Sequence, residues 1–344
     1  MGPLAYVRDP THHASKPEVG RNTQYLLTGA SGFIGSHLAE ALVARGAVVH
    51  CLLLPGDPAP NLSAVRDQIH IHRADLLDAE ALRRAVRAAA PEVVMHLAAV
   101  GVTDVHVDPA LAVRVNVEGT LNLLAALDGA YRIFLNVGTC HEYGDGAPPF
   151  REDQDPRPSL PYAITKTAVW HFCRRFHETE GWPIVTVRPF SVYGPRQAEK
   201  AFVQACIRAA RRGVDFEMTA GEQGRDWIYV ADVVEGMLRA TSVPAAIGGT
   251  LNLCTGHEIA LYDVARAIVR CLGDPVAIHR GALPYREGEI WHLIGDNTRA
   301  RAILGWEPAV SLADGLRRTI EATVPPSEAC PSTSEGGTRP RGPS

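Results

Sequence analysis

Tyr162 and Lys166 are the residues of this sequence whose types and spacing most directly suggest chemistry. They lie four positions apart in PYAITKTAVWHFCRRF (161–176), so a helix would place both side chains on one face. A tyrosine, with a pKa of about 10, is a poor base at neutral pH, but a neighbouring ammonium favours the phenolate. The pair therefore predicts proton transfer at a hydroxyl or carbonyl oxygen while hydride leaves or reaches the attached carbon.

A third hydroxyl comes from NVGTCHEYG (136–144), which follows a predicted strand. Thr139 would hydrogen-bond the same substrate oxygen. His141, two residues later, is a further acid or base candidate because the unperturbed pKa of imidazole is about 6.5.

Three glycines separate the first apolar strand from the helix that follows it, in LLTGASGFIGSHL (26–38). Gly29, Gly32 and Gly35 would permit a tight turn, close approach of a pyrophosphate to backbone N–H groups, and close packing of helix on sheet. The positive end of the helix dipole would then face the phosphates. Because a second strand follows on schedule, the segment predicts a dinucleotide site.

The end of the second strand bears on the choice between NAD and NADP. An acidic residue there would hydrogen-bond the ribose 2′-hydroxyl and repel a 2′-phosphate. The strand ends instead in Leu53 and Leu54, and the turn after it contains no arginine. NADP(H) is therefore favoured, while nearby Asp57 keeps NAD(H) open. Further along, Asp75 would either accept from the adenine amine or cap a helix.

Apolar strands alternate with amphipathic helices between the two tails, and this pattern predicts an α/β fold with a doubly wound parallel sheet. The predicted strands are 24–28, 48–54, 91–99, 132–138 and 184–190, and the predicted helices are 34–46, 78–90 and 109–127. We expect a Rossmann-type domain over 23–190 and a smaller substrate lobe over 191–324, closing over the carboxyl edge of the sheet. The Pro-, Gly- and Ser-rich tails, 1–22 and 325–344, are predicted to be disordered.

The composition is that of a soluble globular protein, with 344 residues, 46% hydrophobic and 21% charged residues and a formal charge of −4. The charge argues against a nucleic-acid partner, and the lack of a long uncharged apolar run argues against a membrane span. Seven scattered cysteines without a C-x-x-C pair predict neither a disulfide framework nor a metal site. They suit a reducing cytoplasm.

Taken together, these residues resemble the extended short-chain dehydrogenase/reductase family acting on nucleotide sugars, over 24–323. The resemblance rests on the order and spacing of TGASGFIGSHL, ADLLD, VMHLAA, NVEGTLNLL, PYAITK, RPFSVYGP, GEQGRDWIYVADVVEG, GTLNLCTG and ARAILGWEP. It implies a bound NAD(H) or NADP(H), a nucleoside-diphosphate sugar substrate and a homodimer formed through the helices at 109–127 and 162–180.

The resemblance also implies roles for individual positions. The catalytic positions are Thr139, Tyr162 and Lys166, with His141 beside them. The cofactor-binding positions are Gly29, Gly32, Phe33, Ile34, Gly35, Asp75, Leu76, Leu97, Ala98, Ala99, Asn116, Tyr162, Lys166 and Pro189. The substrate positions are Thr139, Cys140, Arg225 and Arg286, of which the two arginines would pair with the diphosphate.

Four reactions occur on this scaffold: 4-epimerisation, 4,6-dehydration, decarboxylation and 4-ketoreduction. Dehydratases carry Asp-Glu after the Thr, where this chain has Cys140 and His141, and decarboxylases carry Glu at the second of these positions. The H-E-Y-G form with Glu142, and the missing acid at the second strand end, favour reduction of an NDP-4-keto-6-deoxyhexose. A 4-epimerase with tightly bound NAD is the alternative. A non-catalytic dinucleotide-binding scaffold is disfavoured because Tyr162 and Lys166 are both retained.

Overall fold

The structure is a computed structural model that describes residues 20–102, 107–286 and 288–323. Of the two predicted tails, residues 1–19 and 325–344 lie outside the described residues. The strands are β1 (Gln24–Thr28), β2 (Val48–Leu53), β3 (Ile69–Arg73), β4 (Val93–His96), β5 (Ile133–Val137), β6 (Ile184–Pro189), β7 (Ser191–Tyr193), β8 (Phe216–Met218), β9 (Gly224–Tyr229), β10 (Thr250–Leu253), β11 (Glu258–Ala260), β12 (Ile278–Arg280) and β13 (His292–Leu293).

The α-helices flank these strands, and most follow the predicted pattern. They are α1 (Phe33–Val43), α2 (Ala79–Ala89), α3 (Pro109–Ala112), α4 (Gly119–Leu127), α5 (Pro161–Glu180), α6 (Phe202–Arg211), α7 (Val230–Ser242), α8 (Leu261–Cys271), α9 (Thr298–Leu304) and α10 (Leu312–Ala322). Helix α1 ends at Val43, before the predicted end at Gly46, which takes a left-handed turn with φ of 78° into β2. Asp78 caps α2 by accepting from the N–H groups of Glu80 and Ala81.

Seven parallel strands form the main sheet, in the order β10-β6-β5-β4-β1-β2-β3. The central strands are buried along their whole length, as the apolar runs of the sequence require of a sheet covered on both faces. The strand order changes direction between β1 and β4, so a crevice opens at the carboxyl ends of these strands. The predicted Rossmann-type α/β fold is confirmed.

The predicted long helix at 109–127 forms with one irregularity. Val113–Glu118, between α3 and α4, is π-helical, and π-helical turns frequently mark functional sites. By length and composition alone, Pro109–Leu127 could also span a membrane; 39% of it is buried within the fold, and buried core helices pass the same test.

The C-terminal part of the chain builds a smaller lobe and also completes the main sheet. Strands β11, β9 and β13 form a small sheet with β7 paired to β9, and β12 pairs with β8. Strand β10 returns to the edge of the main sheet beside β6. Residues beyond the predicted boundary at 190 therefore serve both units, and the division itself remains a prediction.

Candidate active site

The glycine loop between β1 and α1 leaves the backbone open at the helix N-terminus. Gly29 has a φ of 68°, and a Cβ there would lie 2.8 Å from the Ala98 nitrogen. A Cβ on Gly35 would overlap the carbonyl oxygen of Gly29. Gly32 is the N-cap of α1, where the structure shows no side-chain hydrogen bond that caps the helix. The loop thus forms a cradle at a helix N-terminus, which suits a pyrophosphate.

The other predicted cofactor residues border the same carboxyl edge of the sheet. They are Phe33 and Ile34 at the start of α1, Asp75 and Leu76 after β3, Leu97, Ala98 and Ala99 after β4, and Pro189 at the end of β6. The Asp75 carboxylate accepts from the N–H of Leu77 at 2.9 Å within a turn. The helix-capping alternative was wrong for Asp75, because Asp78 is the residue that caps α2. A contact between Asp75 and adenine stays a prediction.

Asn116, in the π-helical turn, links the loop after β4 to helix α5 through its side-chain amide. Its Oδ1 accepts from the Val100 N–H at 2.8 Å, and its Nδ2 donates to Thr165 Oγ1 at 2.9 Å. Thr165 Oγ1 in turn donates to the carbonyl oxygen of Tyr162 at 2.7 Å. The loop after β4 and the first turn of α5 are therefore held together at Tyr162.

The structure brings the three predicted catalytic side chains together. Thr139 precedes a short 3-10 turn (Cys140–Tyr143), and its hydroxyl lies close enough to Tyr162 to affect the pKa of the phenol. Burial raises the pKa of Tyr162, as does the negative charge of Glu142, while the Thr139 hydroxyl opposes the rise. The phenol is therefore the resting form.

Lys166 completes this group from the next turn of α5. Burial lowers its pKa to about 8, against the opposing effect of Glu142. The side chain is only 3% exposed. An ammonium carries three donors, which fit ribose hydroxyls, so these residues and the glycine cradle fit a nicotinamide dinucleotide.

Cys140 and His141 are both neutral at pH 7. Burial raises the pKa of the Cys140 thiol to about 12. Burial, then the charge of Arg225, lowers the pKa of His141 to about 4, and its Nδ1 has no hydrogen-bond partner in the described part of the chain. His141 is therefore a poor proton donor at neutral pH, which argues against the acid role predicted for it. A role as a base stays a prediction.

The two predicted diphosphate arginines lie in different settings. Arg225, on β9, pairs with Glu289 at 2.6 Å and donates to the carbonyl oxygen of Ile290 at 2.7 Å. Arg286 is exposed in the same loop as Glu289. Glu289 was missed at the sequence level, although it lies three residues after Arg286 in R-E-G-E and shares its turn.

Arg73 is a second residue that the sequence did not single out. Residue 73 ends β3 directly opposite Leu53, the last residue of β2. Its Nη1 donates to the carbonyl oxygens of Leu54 at 2.9 Å and Asp57 at 2.7 Å. The segment that follows β2 contains no arginine, but the expectation that none lies at this turn was wrong, because β3 places Arg73 against it. The Asp57 carboxylate, meanwhile, accepts from Ser31 Oγ at 2.6 Å in the glycine loop.

The sequence profile of the NAD dependent epimerase/dehydratase family matches residues 25–254. A UDP-glucose 4-epimerase from Mycolicibacterium smegmatis is 35% identical over 309 residues, covering 86% of this chain and 97% of that protein. A GDP-6-deoxy-D-mannose reductase from Pseudomonas aeruginosa is 31% identical over 313 residues, covering 86% and 95%.

Solved structures give the same result. The UDP-glucose 4-epimerase of Thermotoga maritima with UDP-glucose superposes with a TM-score of 0.81 at 30% identity, covering 87% of this chain and 97% of that one. The structure of RMD from Pseudomonas aeruginosa complexed with NADPH gives a TM-score of 0.74 at 28% identity, covering 87% and 98%. The chain therefore belongs to the NAD-dependent epimerase/dehydratase family, the extended short-chain dehydrogenases/reductases that act on nucleotide sugars.

Proposed function

We propose that this protein uses NADPH to reduce the C4 ketone of an NDP-4-keto-6-deoxyhexose. The observation that carries the choice of cofactor is the position of Arg73. Its guanidinium lies at the turn after β2, where the adenosine ribose of a Rossmann cofactor binds and where an arginine accommodates a 2′-phosphate. No carboxylate ends β2, and that of Asp57 is engaged by Ser31.

The catalytic residues suit the reductive direction. NADPH, when bound, supplies the hydride to C4. Tyr162, kept as a phenol by burial, donates its proton to the C4 oxygen, and Thr139 donates a hydrogen bond to the same oxygen. Lys166 would hold the cofactor ribose, and its positive charge, one helical turn along α5, would stabilise the phenolate left on Tyr162, which then regains a proton from water.

The residues after Thr139 argue against elimination of water. That chemistry needs a carboxylic acid beside a carboxylate, and Cys140 and His141 are both neutral at pH 7. Both oxygens of the Glu142 carboxylate are engaged, one by the Thr139 N–H and the other by Arg188. The side chains near C4 are therefore suited to moving one proton and one hydride at a single carbon.

A 4-epimerase is the second candidate, and the 35% identity with the Mycolicibacterium smegmatis UDP-glucose 4-epimerase favours it. Such an enzyme regenerates its NAD⁺ in each cycle and retains it tightly. In either case the proposed substrate site includes Arg225 and Arg286, and Arg225 must release Glu289 to pair with the diphosphate.

The two candidates separate in one set of assays on the purified protein. We expect an NDP-4-keto-6-deoxyhexose to be consumed with stoichiometric oxidation of added NADPH. We expect no interconversion of UDP-glucose and UDP-galactose when no cofactor is added. Protein that retains NAD⁺ through purification and interconverts these sugars would contradict the reductase proposal and support the epimerase.

A further inference from the structure

A carboxylate and a guanidinium are fully buried beneath the proposed active site. Glu142 and Arg188 have side chains that are 0% exposed, and Arg188 Nη2 lies 2.8 Å from Glu142 Oε2. The other carboxylate oxygen, Oε1, accepts from the backbone N–H of Thr139 at 2.8 Å. The N–H of Thr139, at the start of the 3-10 turn, thus donates a charge-assisted hydrogen bond to Glu142. Hydrogen bonds of this kind are stronger than those between neutral groups.

The surrounding residues are shaped to admit this pair. A Cβ on Gly138 would overlap Glu142 Oε1, so glycine leaves the space that the carboxylate fills. The Arg188 guanidinium carbon lies 4.7 Å from the ring centroid of Tyr143 and 4.7 Å from that of Trp170. Trp170 is one turn beyond Lys166 on α5, so the pair is joined to the helix that carries the catalytic residues.

Stability alone is a weak reason for such a pair. Desolvation of two buried ions offsets most of their attraction, and apolar residues of similar volume often replace a buried ion pair without loss of stability. The charge of Glu142 acts on both catalytic groups: it opposes ionisation of Tyr162 and favours the ammonium form of Lys166. Both effects favour a neutral Tyr162 phenol beside a charged Lys166, which is the state that can donate a proton.

We propose that Glu142, held in place by Arg188, is a positioning residue of the active site, which fixes the backbone of Thr139 so that its hydroxyl lies beside Tyr162. This inference rests on the proposed function in so far as Thr139 and Tyr162 act on a sugar oxygen. It gives a physical role to the Glu of H-E-Y-G, which at the sequence level served only to distinguish reactions.

Glu142→Gln tests the proposal because glutamine keeps an acceptor for the Thr139 N–H but removes the charge. We expect kcat to fall about tenfold with KM changed less than about threefold, since a weakened positioning bond costs on the order of 1.4 kcal/mol. We expect the alkaline limb of kcat, set by Lys166, to move about one unit to lower pH. Amide hydrogen exchange of segment 136–144 should become faster.

Glu152→Gln is the matched control. Glu152 is also buried and accepts a backbone hydrogen bond, from Asn252 at 2.7 Å, but it contacts neither Thr139 nor Arg188. This variant should keep the wild-type pH profile and the wild-type exchange in segment 136–144.

If Glu142→Gln does not fold because Arg188 is left unpaired, the double variant Glu142→Gln/Arg188→Met removes both charges and is expected to fold. Lowered kcat and faster exchange in the double variant would support the proposal. A folded single or double variant with wild-type kcat, pH profile and exchange would overturn it. A wild-type protein that fails to reduce a 4-keto sugar nucleotide would contradict the proposed function instead, and the exchange measurement would still decide the role of Glu142.

Discussion

The phenol of Tyr162 is the group on which the proposed chemistry turns. Burial and the charge of the Glu142 carboxylate both oppose ionisation of this phenol. A general base would instead need surroundings that favour the phenolate. Lys166, with a pKa of about 8, carries most of its charge at neutral pH. A phenol beside an ammonium is suited to giving a proton to an oxygen that becomes negative as hydride arrives.

Tyr162→Phe should therefore lower kcat by about 10²- to 10⁴-fold, the usual contribution of a positioned acid, with little change in NADPH affinity. Tyr131→Phe is the control, because that buried hydroxyl has no hydrogen-bond partner within the described residues and lies outside the site. Steady-state kinetics and cofactor titration check both variants. A Tyr162→Phe enzyme that keeps most of its turnover would refute the mechanism.

Arg73→Gln should reduce kcat/KM for NADPH by about 10- to 100-fold and leave that for NADH nearly unchanged, because a charge-assisted bond contributes about 1.5–3 kcal/mol. Arg66→Gln is the control: this exposed arginine, in the segment between β2 and β3, donates only at 3.5 Å to the carbonyl oxygen of Pro58. Equal losses with both cofactors would show that Arg73 does not contact the 2′-phosphate.

At the scale of elements, strands β2 and β3 carry three histidines that pack on one another. His50 Nδ1 lies 2.9 Å from His72 Nε2, its Nε2 lies 2.8 Å from Gln24 Oε1, and its ring stacks on His70 at 4.8 Å. Burial, then the charges of His72 and His70, lower the pKa of His50 to about 4. The surroundings of His50 therefore favour its neutral imidazole.

The unfolded chain, with a histidine pKa of about 6.5, takes up protons before folded His50 does, so stability is complete above about pH 6.5 and falls between there and about pH 4. His50→Gln should reduce this loss by about 2 kcal/mol. Urea unfolding at several pH values measures it, with exposed His279→Gln as the control. An unchanged pH slope in His50→Gln would contradict the prediction.

Across the whole molecule, the features that could be predicted from the sequence are those that depend on neighbouring residues or on a regular pattern along the chain. Buried parallel strands give apolar runs, and the i, i+4 spacing of Tyr162 and Lys166 is a property of one helix. Arg73 at the β2 turn and Arg188 under Thr139 could not be predicted, because each depends on which strands pair and in what register. Glu289 opposite Arg225 likewise depends on how a loop folds back on β9.

Four large apolar residues are 41–51% exposed on two neighbouring helical segments: Leu111 and Val113 within Pro109–Leu127, and Ile164 and Phe172 on α5. The two segments contact each other, and the family resemblance implies a dimer interface on these helices. Large apolar patches on a surface often mark such interfaces. We therefore propose that a second copy of the chain covers them.

Ile164→Glu/Phe172→Glu would bury two unpaired charges in that interface, at a cost of several kcal/mol, and should give a monomer at micromolar concentration. Val214→Glu is the control, since Val214 is 56% exposed after α6, outside both helices, and the variant should remain a dimer. Sedimentation velocity gives the mass of each species. The dimer proposal fails if the wild type sediments as a monomer, or if the double variant keeps the wild-type mass.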